Sequence, residues 1–186
     1  MLREATVATE DERYYRHQGI DVIGVLRAVP YDVGHLSFGQ GASTISEQVA
    51  KLLYLGGNDH SPWRKLKAAV IALRLEDHYS KEQILSAYLN STYFGEGAYG
   101  AAAASETYFG IVPKRLTLAE ASLLAGLIQA PSAYDPIVAP RAARARQAQV
   151  LRSMVRNDYI TASDARRALA QPLLLRRGRV LAGGRG

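Results

Sequence analysis

The sequence predicts a mainly α protein, and three observations predict it. Apolar residues recur at helical spacing along most of the 186 residues, the period of helices that bury one side. Ser or Thr followed three positions later by Glu, Gln or Asp stands ahead of several of those segments, as at a helix start. No run alternates apolar and polar residues for long enough to make a convincing strand.

Taken in order, the chain enters a helical pattern almost at once, in "MLREATVATEDE", with no leader ahead of it. This predicts a fragment, or a chain whose true start lies upstream. The pattern runs into the charged stretch Glu10-Asp11-Glu12-Arg13 and then Tyr14, Tyr15, Arg16 and His17. Ile45, Val49, Leu52 and Leu53 fall at i, i+4, i+7 and i+8 behind a capping box, Thr44-x-x-Glu47. Leu66, Ala69, Val70 and Leu73 repeat the period behind Pro62, which suits a first turn. Ile84, Leu85, Tyr88 and Leu89 follow Ser80-x-x-Gln83. Leu118, Ala121, Leu124, Ala125 and Ile128 follow Thr117-x-x-Glu120, and Thr161-x-x-Asp164 is a weaker start of the same kind. Breaks fall at "GHLSFGQGAS", "GGNDHSP", "FGEGAYG", "FGIVP" and "QAPSAYDP". Residues 1–172 read as one domain and 173–186 as a flexible basic tail.

Composition narrows the class. A 48% hydrophobic chain of this length can bury a real core. It contains no cysteine, which removes disulfide frameworks and thiolate metal sites. The net charge of +6 is uneven: residues 137–186 hold 11 Arg against Asp158 and Asp164. Such a surplus suits nucleic acid, anionic lipid or pyrophosphate alike. The sequence shows no helix-turn-helix and no interleaving of basic and aromatic residues, so nucleic acid is not the expected partner. Uncharged runs reach only 14 residues, as at Ala121–Tyr134, too short for a membrane span.

Several motifs carry chemistry, each with a structural alternative. Gly95-x-Gly97-x-x-Gly100 has the letters of a dinucleotide fingerprint but follows a helical run rather than a strand, so a tight turn is the better reading. "GQGASTISEQVAKLLYL" brings Ser43 and Thr44 to a helix N-terminus with Glu47, Gln48 and Lys51 just beyond. That arrangement suits an anion, or is simply a capped helix with a surface lysine. Arg64, Lys65 and Lys67 crowd the first turns of the next helix, where the macrodipole disfavours cations. Either an anion is expected there or three cations are solvated. Glu10 is either a solvated charge or a carboxylate placed for proton chemistry.

The order of these segments resembles the peptidoglycan glycosyltransferases of glycosyltransferase family 51, the transglycosylase module of penicillin-binding proteins and monofunctional enzymes. Five blocks between about Ala5 and Met154 carry the resemblance. They are Glu10-Asp11-x-x-Tyr14-x-x-His17-x-Gly19, Gly41-x-Ser43-Thr44-Ile45-Ser46-x-Gln48-x-x-Lys51, Arg64-Lys65 with Leu75-Glu76, "AYLNSTYFGEGAYG" and "LTLAEASLLAGLIQAPSAYDP".

The resemblance implies a lysozyme-like single domain with a deep cleft, and a small mobile jaw around "GHLSFGQGAS". It implies polymerisation of lipid II into β-1,4 glycan strands by inverting displacement of polyprenyl pyrophosphate. Glu10 would be the general base. Asp11, Arg13, Ser43, Thr44, Glu47, Gln48, Lys51, Arg64 and Lys65 would bind substrate and pyrophosphate. Mg²⁺ or Mn²⁺ is an expected cofactor of the family, although the sequence shows no ligand cluster of its own. The implied partners are lipid II, the growing glycan chain, the membrane surface and other cell-wall synthesis proteins. The implied location is the outer face of the bacterial cytoplasmic membrane, with the anchor outside this chain.

Three positions depart from the family's pattern. Ala68 stands where a second glutamate is usual, His60 where an arginine is common, and Glu47-Gln48 where Gln-Gln is usual. The missing carboxylate opens an alternative: a degenerate module that binds lipid II or a cell-wall partner with little activity. No Ser-x-x-Lys or Lys-Thr-Gly is present, so acyl-serine chemistry is not supported.

Overall fold

The computed structural model describes residues 1–24, 43–56, 61–176 and 180–181. The expected jaw loop lies outside these residues except for Ser43, and so does His60. The fold is mainly α, as the sequence predicts. Its helices are α1 (Leu2–Glu10), α2 (Ile45–Leu53), α3 (Pro62–His78), α4 (Lys81–Ser91), α5 (Gly100–Phe109), α6 (Leu118–Leu127), α7 (Pro140–Arg156) and α8 (Ala162–Ala170). One short antiparallel pair joins β1 (Leu173–Leu174) to β2 (Val180–Leu181).

The chain forms two compact units, Glu10–Ser91 and Met1–Thr9 with Thr92–Gly186.

In the Glu10–Ser91 unit, α2 packs against both α3 and α4. Thr44 caps α2 by accepting the Glu47 N–H at 3.1 Å, while Glu47 Oε2 accepts the Thr44 N–H at 2.9 Å. Ser61 caps α3, with Pro62 in its first turn. The buried stripe of α3 is Ala68, Ala72 and Leu75, spaced i, i+4, i+7. The stripe of larger apolar residues points outward: Leu66, Val70 and Leu73 are exposed, as are Leu52 and Leu53 of α2. Helical period therefore identifies both helices and, through Ile45 and Val49, the buried side of α2, but not that of α3, which buries its small alanines. Gly19 shows how close the backbones come. Its φ is +71°, and a Cβ there would lie 2.9 Å from the backbone nitrogen of Leu73, so both conformation and space demand glycine.

In the other unit, α6 and α7 form the main helix pair. Every residue of α6 from Ala119 to Leu127 except Glu120 is buried. Gln147 of α7 reaches into this core, donating to the Ala119 carbonyl at 2.8 Å and to Ser122 Oγ at 3.2 Å. Its own oxygen accepts from Arg144 at 2.8 Å, so the buried amide is satisfied at both ends.

Gly95 and Gly97 have φ of +92° and +73° in a turn that follows α4, bridged by Tyr93 and Tyr99. This is the turn expected there, and the helix ahead of it is not the strand a dinucleotide site needs.

Within residues 173–176, the start of the expected basic tail, Leu173 and Leu175 are buried, and the Arg176 N–H donates to the Tyr108 carbonyl at 2.8 Å. Leu173 and Leu175, ahead of the arginines, supply an apolar anchor that the segment's basic composition masks.

Candidate active site

The predicted site residues that the structure describes all fall in the Glu10–Ser91 unit. They divide into two groups by what their side chains touch.

The first group builds the framework. Asp11 is buried, and its Oδ2 accepts the N–H of Ile45, the first residue of α2, at 3.0 Å. His17 Nε2 lies 3.0 Å from both oxygens of the same carboxylate. An acid at a helix N-terminus meets both an orphan donor and the positive end of the macrodipole. Thr44 is buried as well, and its hydroxyl donates to the Gly19 carbonyl at 2.6 Å. Glu47 is buried within the capping box. Burial raises its pKa above the usual carboxylate value, against the lowering effect of the Thr44 N–H and of Lys51. Asp11, Thr44 and Glu47, predicted to bind substrate, thus have their polar atoms committed to holding α2 in place. Arg13 Nε pairs with Asp21 at 3.3 Å.

The second group holds Glu10, Gln48 and the cations of the site. Glu10 ends α1, and its Oε2 accepts from Gln48 Nε2 at 3.2 Å. Lys51 follows Gln48 by three residues, the spacing that puts two side chains on one side of a helix. Its ammonium donates to Ser43 Oγ at 3.0 Å. Burial holds the pKa of Lys51 below the ordinary lysine value; Glu47 opposes this, while Lys65 and Arg64 reinforce it. Arg64 and Lys65 occupy the first turn of α3, which has no acidic residue. Arg64 also donates to the Gly56 carbonyl at 3.2 Å. Lys51, Arg64 and Lys65 form a cation cluster whose mutual repulsion an anion would relieve.

The sequence reading missed three supporting residues. Tyr88 reads as one more apolar member of the α4 stripe, yet its hydroxyl donates to Gln48 Oε1 at 2.7 Å. Glu76 accepts from Ser46 Oγ and from Lys81 Nζ, the latter at 2.7 Å. Lys81 in turn lies 4.4 Å from the centroid of the buried Tyr14 ring. Burial, reinforced by the nearby Glu76, pushes the Tyr14 phenol far above the ordinary tyrosine value, so it remains a neutral donor, to the Lys81 carbonyl at 2.7 Å.

The family model described as Transglycosylase matches residues 1–155. The chain belongs to the transglycosylase family. Penicillin-binding protein 1A of Neisseria flavescens is 46% identical over 173 residues, covering 93% of this chain and 22% of that protein. A Cupriavidus necator protein named as a transglycosylase is 48% identical over 177 residues, 94% of this chain and 75% of the relative. The 2.6 Å crystal structure of penicillin-binding protein 1A from Haemophilus influenzae matches with a TM-score of 0.50 and 37% identity, over 53% of this chain and 15% of that one. The transglycosylase chain thus spans about a fifth of the length of the penicillin-binding relatives it matches.

Two features of this transglycosylase bear on the expected divalent cation. Among the described residues no group of three His, Asp or Glu side chains could hold a metal ion. Position 68, a glutamate in the family's pattern, is an alanine with 0% of its surface exposed. The described residues do not fit a metal held by the protein itself.

Proposed function

We propose that the chain is a peptidoglycan glycosyltransferase domain that polymerises lipid II into β-1,4 glycan strands, with Glu10 as general base. One observation carries the reading. A single helix, α2, carries Gln48 against the Glu10 carboxylate and, on its next turn, Lys51 in a cluster with Arg64 and Lys65. Inverting displacement of a pyrophosphate needs these two functions together.

In the proposed step Glu10 takes the proton of the acceptor's 4-hydroxyl, and the oxygen attacks the anomeric carbon of the donor from the β side. The α bond from that carbon to the pyrophosphate oxygen breaks, and its electron pair leaves with the pyrophosphate. Charge therefore grows on the leaving group in the transition state. Fixed cations act most strongly where charge develops, so Lys51, Arg64 and Lys65 stabilise that state more than the ground state. No step is routed through a divalent ion.

Substrate on a polyprenyl carrier requires a lipid surface, at the outer face of the bacterial cytoplasmic membrane. Among the described residues no helix is long and apolar enough to cross a membrane. The exposed face of α3, with Trp63, Leu66, Val70 and Leu73 on one side, supports contact with the surface instead. Further cell-wall synthesis proteins are proposed partners.

A second reading, a module that binds lipid II without polymerising it, is favoured by the absence of a carboxylate at position 68. Incubating the purified chain with lipid II in detergent micelles separates the two. Formation of β-1,4 glycan supports the first. Binding without polymer, by folded protein, overturns it in favour of the second. Lys51→Ala is expected to lower the polymerisation rate by roughly tenfold and Lys51→Arg by less, since the guanidinium keeps the charge.

A further inference from the structure

Tyr88 is 1% exposed on α4, in a helix stripe otherwise made of Ile84, Leu85 and Leu89. Leucine or phenylalanine would fill that place as well, so the hydroxyl calls for an explanation. Its O–H donates to Gln48 Oε1 at 2.7 Å, and Gln48 Nε2 donates to Glu10 Oε2 at 3.2 Å. A primary amide has an acceptor at one end and donors at the other, in two orientations that differ by a half turn. Only one of them offers an N–H to Glu10. The other turns a carbonyl oxygen toward a carboxylate oxygen and repels it. The carboxylate, which only accepts, favours the first, and a hydroxyl that donates to the oxygen end anchors the amide in it.

We propose that Tyr88 is a positioning residue: its hydroxyl sets the orientation of the Gln48 amide, which in turn aims the Glu10 carboxylate. The proposal rests on the reading of Glu10 as the base. Tyr88 is buried and acts through Gln48 without touching substrate. Gln48, expected from the sequence to bind substrate or pyrophosphate, here serves the base. The physical effect is on orientation: a carboxylate that swings out of line with the 4-hydroxyl spends less time in a reactive geometry.

The test is a double-mutant cycle on the full chain, with Tyr88→Phe, Gln48→Met and the pair, read by lipid II polymerisation and by melting temperature. Phenylalanine keeps the ring in the core and removes only the hydroxyl. Tyr88→Phe is expected to lower kcat by about five- to tenfold with KM for lipid II within about twofold, because misorientation acts on the reacting geometry rather than on binding. Gln48→Met is expected to lose at least as much. The double variant is expected to be no slower than Gln48→Met alone, since the hydroxyl has nothing left to orient. A Glu10→Gln control separates the two ideas at stake. If that control is inactive while Tyr88→Phe keeps the wild-type kcat, or if the two losses multiply in the double variant, the relay is overturned and the base reading stands. If Glu10→Gln polymerises at the wild-type rate, the base reading itself fails and the relay fails with it. A rise in KM at unchanged kcat, or unfolding of Tyr88→Phe, would make the hydroxyl a binding or structural group and overturn the proposal.

Discussion

The two units of the molecule use their buried polar groups differently. In Met1–Thr9 with Thr92–Gly186, the buried Gln147 closes on the structure itself, bonding to Ala119, Ser122 and Arg144 inside the α6–α7 pair. In Glu10–Ser91, buried or partly buried polar groups seat a helix start and also reach the proposed base. Asp11 and Thr44 seat the start of α2, and Tyr88 reaches Glu10 through Gln48. The apolar surface differs as well. The α6 core is almost wholly covered, whereas α3 hides alanines and shows Trp63, Leu66, Val70 and Leu73. On the proposed reading, a buried hydrogen-bond network serves stability alone in one unit and stability plus positioning in the other, and substitutions should separate the two roles.

The largest expected effect is on rate alone. Glu10→Gln is nearly isosteric and is expected to lower polymerisation by about 10²–10⁴-fold with an unchanged melting temperature. Retention of more than about a tenth of the wild-type rate would remove a typical base contribution from Glu10. The opposite signature belongs to the α6 core. Leu124, wholly buried, should cost about 2–5 kcal/mol as Leu124→Ala, with the rate per folded molecule unchanged. Thermal unfolding and polymerisation measured on one preparation test both claims. If Leu124→Ala slowed the folded enzyme, the division of roles between the units would break.

Ala68→Glu comes next. The side chain is fully buried on α3, so an added carboxylate is expected to cost about 2 kcal/mol or more and to lower the melting temperature without raising the rate. A faster enzyme with an unchanged melting temperature would instead place the family's missing carboxylate within reach of the reaction.

The smallest effect is pH-dependent. Burial raises the pKa of Glu47 above its ordinary 4.5. A group whose native pKa is raised contributes stability that is complete below the unfolded value and is lost as pH rises through the native one. At pH 7 the buried charge is therefore unfavourable. Glu47→Gln keeps an acceptor for the Thr44 N–H and should be more stable at pH 7 by about 1 kcal/mol or less, the gap closing as pH falls toward the ordinary value. Melting curves from pH 4 to pH 8 would show it; a gap that widened on acidification would reverse the sign of this argument.

What was legible in the sequence follows from distance along the chain. The helix starts at Thr44, Ser80, Thr117 and Thr161 were readable because both partners of each capping box lie within four residues, and all four boxes form. The family blocks named Glu10, Gln48, Lys51, Arg64 and Lys65 because residue order alone carries that resemblance. The partners of those residues were not readable. Asp11 and Ile45 are 34 residues apart, Glu10 and Gln48 38, and Gln48 and Tyr88 40. A phenol in an apolar stripe has the same sequence pattern whether its hydroxyl meets an amide or nothing. The choice of buried face on α3 was hidden for a related reason: period shows where apolar side chains align, but the neighbouring helix decides which aligned stripe it covers. The sequence by itself thus determined the helices, their starts and the chemical types available to the site. Only the tertiary structure decided that Asp11, Thr44 and Glu47 make hydrogen bonds at the start of α2, and that Tyr88 meets Gln48 and Gln48 meets Glu10. Helix signals act within a single turn, whereas these contacts exist only once helices remote in sequence have packed together.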